Sequence, residues 1–229
     1  MMKKEPLLRV KDLVENPTTR LPVCLCLDVS NSMEGDPVNE LNEGVGLFFY
    51  ELKKDEIAFY SAEVAVVTFG GFDAECLLDF ANLERVPKPP KLEAVGMTPM
   101  GEGVNLALDL LEKRLNEYRE KGVDYFQPWL VLMSDGSPNG DETELERAIQ
   151  RVSELEHSKK LTVITIGIGK DADMEVLAKF SSDKSPLKLK GLKFKDFFSW
   201  LSRSVSAISQ SMAGENVELE PTSDWGSLD

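Results

Sequence analysis

Four apolar, β-rich runs punctuate the chain at residues 22–28, 62–69, 129–134 and 161–168, and helical patterns fill most of the intervals between them. Each run is continuous rather than alternating, which fits strands covered on both faces. Asp36 and Pro37 form a cap and first position for a helix carrying Val38, Leu41, Val45, Phe48, Phe49 and Leu52. Further helical patterns run over 103–121, over 141–157 with Leu145, Ala148, Ile149, Val152 and Leu155 inward, over 173–181 and over 194–212. The paired glycines Gly70 and Gly71 between 62–69 and 75–80 predict a hairpin that adds one antiparallel edge strand. The alternation predicts an α/β fold with a doubly wound, mostly parallel open sheet and right-handed crossovers. Ligands of such sheets bind at the carboxyl ends of the strands, where the strand order reverses.

Two of the runs end in acids. Leu25-Cys-Leu-Asp-Val-Ser-Asn-Ser-Met33 closes the first run with Asp28, Ser30 and Ser32, three residues of one side-chain parity that can converge once the chain turns. Carboxylate and hydroxyl oxygens suit Mg²⁺ or Mn²⁺ better than zinc, and Mg²⁺ keeps water-filled positions on an incomplete protein cage. Two later segments extend the set: Thr98 in the glycine-flanked loop Gly96-Met-Thr-Pro-Met-Gly-Glu-Gly103, and Asp135 after the run Leu130-Val-Leu-Met-Ser134. Taken singly, each residue reads as a turn or capping group. Together, Asp28, Ser30, Ser32, Thr98 and Asp135 read as one metal site.

With these motifs the sequence resembles the von Willebrand factor A family over roughly residues 20–212. That family's metal-ion-dependent adhesion site combines D-x-S-x-S, a Thr in a second loop and an Asp after a later strand. Asp28-Val-Ser-Asn-Ser-Met33, Gly96-Met-Thr-Pro-Met-Gly101 and Ser134-Asp-Gly-Ser-Pro138 look most like the bacterial TerY-like branch, associated with tellurite resistance and stress operons. The usual Gly between the serines is Asn31 here, the next best residue for a left-handed backbone, so the turn and metal binding are expected to survive. The resemblance implies a Rossmann-like fold and a nonenzymatic module. In it Ser30, Ser32 and Thr98 bind Mg²⁺ directly, with Mn²⁺ or Ca²⁺ as alternatives, while Asp28 and Asp135 act largely through water. It also implies a protein partner that supplies a Glu or Asp to the ion, in TerY-like systems a kinase-like or phosphatase-like stress-operon protein.

Composition narrows the partners. A net charge of −14 and a pI near 4.6 argue against nonspecific binding to nucleic acid or anionic membranes, which draws on Lys and Arg. The 229 residues suit a single domain, divided as an extension over 1–19, the domain over 20–212 and an acidic tail over 213–229. Glu5, Pro6, Arg9, Lys11 and Asp12 interrupt any apolar leader, and no apolar run approaches membrane-spanning length, so a cytoplasmic location is expected. Cys24, Cys26 and Cys76 fit core packing in a reducing compartment. The cluster Lys184, Lys188, Lys190, Lys193 and Lys195 reads as a solvated edge.

Other chemistries fit less well. An EF-hand over residues 28–39 fails at Met33 and Asn39, and Gly167-Ile-Gly-Lys170 lacks the complete phosphate-binding patterns. His157 sits at a helix end, where a cation suits the dipole, and Asp141, Thr143 and Glu144 look like capping groups. The competing reading is a Mg²⁺-dependent phosphoryl-transfer or phosphatase-like enzyme, but that would want an acid two positions after Asp28, where Ser30 stands. The tail offers Trp225 beside Asp224, an apolar anchor next to a carboxylate, which could dock on the metal site as a tethered competitor; the plainer expectation is a solvated acidic tail.

Overall fold

A computed structural model describes residue 13 and residues 16–182, 184–212 and 217–227. The strands are β1 (Leu21–Asp28), β2 (Ala62–Gly70), β3 (Asp73–Asn82), β4 (Trp129–Ser134), β5 (Thr162–Gly167), β6 (Leu187–Leu189) and β7 (Gly226–Ser227). The helices are α1 (Asp36–Lys54), α2 (Glu56–Ser61), α3 (Met100–Lys121), α4 (Glu142–His157), α5 (Met174–Ala178) and α6 (Phe194–Ser209). Among these residues no helix is long and apolar enough to cross a membrane.

The expected doubly wound sheet forms, in the order β3-β2-β1-β4-β5-β6-β7. β1 pairs in parallel with β2 and β4, β4 with β5, and β5 with β6. β3 returns antiparallel along β2, the edge predicted from Gly70 and Gly71. All eight residues of β1 are buried because helices cover both faces. Side-chain alternation divides them. Val23, Leu25 and Leu27 join α1 and α6 on one face, while Cys24 and Cys26 join α3 and α4 on the other. Cys24, Cys26 and Cys76 form no disulfide, Cys24 and Cys26 being buried and Cys76 half-buried.

The chain reverses its strand order between β1 and β4, so the carboxyl ends of these two strands flank the switch point. Two local expectations need correction. Gly35, at φ 87°, caps α1, and Asp36 and Pro37 lie inside its first turn with no side-chain cap. The second concerns the C-terminal segment. Of the expected acidic tail over 213–229, residues 213–216 and 228–229 lie outside the described residues, and Glu218, Glu220 and Asp224 are exposed as expected. Trp225, however, packs into the domain instead of docking on the metal site, 2% exposed, 4.9 Å from Phe197 and 5.2 Å from Trp200. From there β7 pairs antiparallel with β6 and closes the second sheet edge. Trp200 Nε1 donates to Glu220 O, Lys190 Nζ to Ser223 O and Lys193 Nζ to Asp224 O, so part of the predicted solvated lysine edge fastens this strap. Burying one indole outweighs the acidity of the segment around it.

Candidate metal centre

β1 delivers Asp28 fully buried to the switch point, and the chain then turns through a short 3-10 segment, Asn31–Met33. Asp28 Oδ1 accepts the Ser30 amide at 2.8 Å, which sets the turn. Its Oδ2 accepts Ser134 Oγ from the end of β4 at 2.5 Å, joining the two central strands through a side chain. The Ser30 and Ser32 hydroxyls stand 3.0 Å apart, and Ser32 Oγ donates to Asp135 Oδ1 at 2.7 Å. Asp28, Ser30, Ser32 and Asp135, separated by up to 107 positions, therefore share one hydrogen-bonded assembly.

Thr98 makes no direct bond to this assembly; its loop is tied to it through Asn31 and Gly96. Asn139 grips its backbone from both sides, accepting from Thr98 N at 2.6 Å and donating its own amide to Thr98 O at 3.1 Å. Asn31 holds the same loop two residues earlier, donating N–H to Gly96 O at 3.0 Å and accepting Gly96 N–H on Oδ1 at 2.7 Å. Thr98 is 5% exposed, and among the described residues its hydroxyl has no hydrogen-bond partner. Asn31 corrects a sequence expectation: its backbone is not left-handed, since the only such non-glycine residue described is Lys159. The side chain, absent from glycine, binds the second loop.

The electrostatics are unbalanced. Burial pushes the Asp28 carboxyl up to about 6, although the bonds from Ser134 and Ser30 favour its charge and pull the other way; Asp135 adds to the rise. Asp135, half-buried, is also raised, first by burial and then by Asp171, against the bond from Ser32. Among the described residues no Lys, Arg or His bonds to either carboxylate. Nor do those residues contain a cluster of three His, Cys, Asp or Glu suited to a metal. A cation here would draw on hydroxyls, a donor set that fits a hard divalent ion: two carboxylates, two hydroxyls 3.0 Å apart and the unpartnered Thr98 hydroxyl.

Sequence reasoning missed Ser134, Asn139 and the side-chain role of Asn31, which bond the loops together without belonging to the expected donor set. Asp141 is a capping group as expected, accepting Thr143 N at 2.7 Å and Glu144 N at 3.3 Å.

The fold is similar to several solved structures. The vWF domain of the type V pili tip protein Mfa5 from Porphyromonas gingivalis matches with 13% identity and a TM-score of 0.63, over 87% of this chain and 99% of that one. A von Willebrand factor type A protein from Catenulispora acidiphila matches with 20% identity and a TM-score of 0.56, over 83% of this chain and 43% of that one. The pilus adhesin SpaC from Lactobacillus rhamnosus GG matches with 11% identity and a TM-score of 0.66, over 83% of this chain and 30% of that one. This chain thus spans less than half of the latter two, and at such identities the likeness speaks to fold alone. No curated protein matches the chain significantly by sequence. The von Willebrand factor type A domain model matches residues 23–199, which contain β1 from Val23 onward, all of β4, both site loops and all five site residues. The chain therefore belongs to the von Willebrand factor type A domain family.

Proposed function

We propose that this protein is a nonenzymatic, divalent-cation-dependent protein-interaction module. Ser30, Ser32 and Thr98 hold Mg²⁺ directly, Asp28 and Asp135 support it through water, and a Glu or Asp of a partner protein completes the coordination. One observation carries the reading: Ser30, bonded to Asp28 through its amide, and Ser32, bonded to Asp135 through its hydroxyl, bring their own hydroxyls 3.0 Å apart between two carboxylates to which no Lys, Arg or His among the described residues bonds. Because the direct donors are neutral, the ion retains positive character and attracts a partner's carboxylate. The names pilus adhesin and pili tip protein among structures of the same fold are in keeping with a binding role.

The rival phosphoryl-transfer reading asks Asp28 to attack phosphorus. Asp28 is fully buried and both its oxygens accept hydrogen bonds, which favours a supporting role over that of a nucleophile. At a net charge of −14 the partner is neutral or basic overall, with one carboxylate aimed at the metal. A cytoplasmic stress-response setting of the TerY-like kind belongs to the same proposal and rests on the motif sequences.

Titration calorimetry with Mg²⁺ and Mn²⁺ tests the site. Asp28→Ala and Asp135→Ala are expected to weaken binding by about tenfold or more while circular dichroism stays native. Cation affinity unchanged in both variants would overturn the assignment. Partner capture with Mg²⁺ and with chelator tests the function, and a chelator-resistant complex would show that binding uses another surface.

A further inference from the structure

Three of the large apolar side chains left exposed by the fold flank one backbone bridge in sequence. Phe72 is 93% exposed, Val95 54% and Met97 39%, and each adjoins the bridge that ties Gly71 of the β2–β3 hairpin to Gly96 of the loop before α3. The backbone beneath them is fastened. Gly71 N–H donates to Val95 O at 2.6 Å, Met97 N–H to Gly71 O at 2.9 Å and Val95 N–H to Val29 O at 2.6 Å. Gly96, at φ +64°, approaches so closely that a Cβ there would lie 2.4 Å from Gly71 Cα. The three side chains therefore stand on a fixed platform, and an apolar patch on rigid backbone beside polar groups is the mark of an interaction surface.

This shelf is continuous with the candidate metal centre. Met97 precedes Thr98, and Gly96 is bonded on both its backbone groups by Asn31, which lies between Ser30 and Ser32. Past Val95 the surface turns acidic: Asp73, Glu75 and Glu93 line a groove of about 440 Å³ whose one base, Lys91, is paired with Glu93 at 2.8 Å. From the metal outward, the order is hard oxygens, apolar shelf, acidic groove.

We propose that the partner presents a short segment with the complementary order: a Glu or Asp for the metal, then a large apolar side chain for Phe72, Val95 and Met97, then a Lys or Arg for the groove. The proposal rests on the metal-dependent reading above and adds to it the partner's sequence chemistry. The carboxylate alone would leave the shelf wet, and an acidic neighbour would meet Asp73, Glu75 and Glu93.

Surface-immobilised short peptides with a single Glu, followed by Leu and then Lys, provide the probe, applied to the full chain in Mg²⁺. Changing the peptide Leu to Ser is expected to cut capture about tenfold, the ratio that corresponds to ~1.4 kcal/mol. In a Phe72→Ser/Val95→Ser/Met97→Ser variant that Leu-to-Ser ratio falls to about twofold or less, with Mg²⁺ affinity by calorimetry unchanged; Phe72→Ser alone, at the most exposed position, shifts it in the same direction. Equal capture of Leu and Ser peptides, or a Leu preference that survives the triple variant, would overturn the inference while leaving the metal reading standing. Capture indifferent to chelator and to a peptide Glu→Gln change would also overturn it. Failure of the wild-type chain to bind Mg²⁺ at all would overturn the metal reading and the shelf's role with it.

Discussion

Asp28 closes the carboxyl end of β1, and Glu63 lies at the amino end of the neighbouring parallel strand β2; both side chains are fully buried. Their surroundings differ in kind. Glu63 accepts Arg114 Nε at 2.6 Å and Nη2 at 2.8 Å, and the Tyr118 hydroxyl at 2.6 Å, with Arg20 Nε 3.4 Å away. Arg20 carries the network outward to the carbonyls of Thr18, Tyr60 and Asn16, which ties down the approach to β1. Asp28 receives one amide and one hydroxyl, and the charge that acts on it is that of another carboxylate, Asp135. A buried charge costs several kcal/mol unless it is paired and hydrogen-bonded. At the amino end of the sheet the fold supplies the pairing itself. At the carboxyl end, among the described residues, it supplies hydroxyls and an amide but no bonded cationic side chain, and that is the gap the proposed divalent ion would fill.

The largest expected effect tests the self-sufficient end. Arg114→Ala leaves Glu63 buried with Tyr118 and the more distant Arg20, and is expected to lower the unfolding free energy by roughly 3–5 kcal/mol, measured by urea denaturation. A loss below about 1 kcal/mol, as for a surface pair, would erase the contrast between the two ends.

The second effect tests the incomplete end by pH. Asp28 has a native pKa of about 6 against an ordinary 3.8, so the folded state holds the extra proton. Its contribution to stability is fully present below about pH 4 and is lost as pH rises through about 6. The difference corresponds to roughly 3 kcal/mol. Other carboxylates titrate in the same range, so the quantity to measure is the stability difference between Asp28→Asn and wild type in chelator. That difference should move in favour of the variant by about 2–3 kcal/mol between pH 4 and 8, and Mg²⁺ should return the advantage to the wild type. A pH-independent difference would mean that Asp28 is already compensated within the fold, as Glu63 is.

The sequence revealed the ends of this sheet unequally. Continuous apolar runs marked β1, β2, β4 and β5, because burial on both faces removes polar residues and leaves a local signal. Asp28, Ser30 and Ser32 were legible because alternate residues after a strand converge, and Gly70 and Gly71 marked the hairpin. The network at the other end was silent. Glu63 lies within an apolar run, and its partners Arg114 and Tyr118 read as ordinary positions on a helix more than fifty residues away. Such bonds depend on how elements approach in three dimensions, which periodicity does not encode. Trp225 was misread for a related reason: composition described the acidic segment as a whole, and packing against Phe197 and Trp200 is a matter of one side chain.

The smallest effect concerns how the incomplete end keeps its shape. Among the described residues its loops are joined by hydrogen bonds and not by ion pairs, and Asn31 makes two of those bonds with Gly96. The family pattern places Gly at this position, which makes Asn31→Gly an informative exchange. If the residue served only the backbone turn, glycine would be neutral. Asn31 is outside the left-handed region and its Oδ1 accepts the Gly96 amide at 2.7 Å, so glycine removes a bond between loops and gains nothing in the turn. The expected cost is about 1 kcal/mol, with faster hydrogen exchange at the Gly96 amide and Mg²⁺ affinity reduced by about fivefold or less, because Thr98 sits two residues along the loosened loop. A variant of wild-type stability with an equally protected Gly96 amide would return Asn31 to a backbone role, and the loops of the open end would then owe their positions to the strands alone.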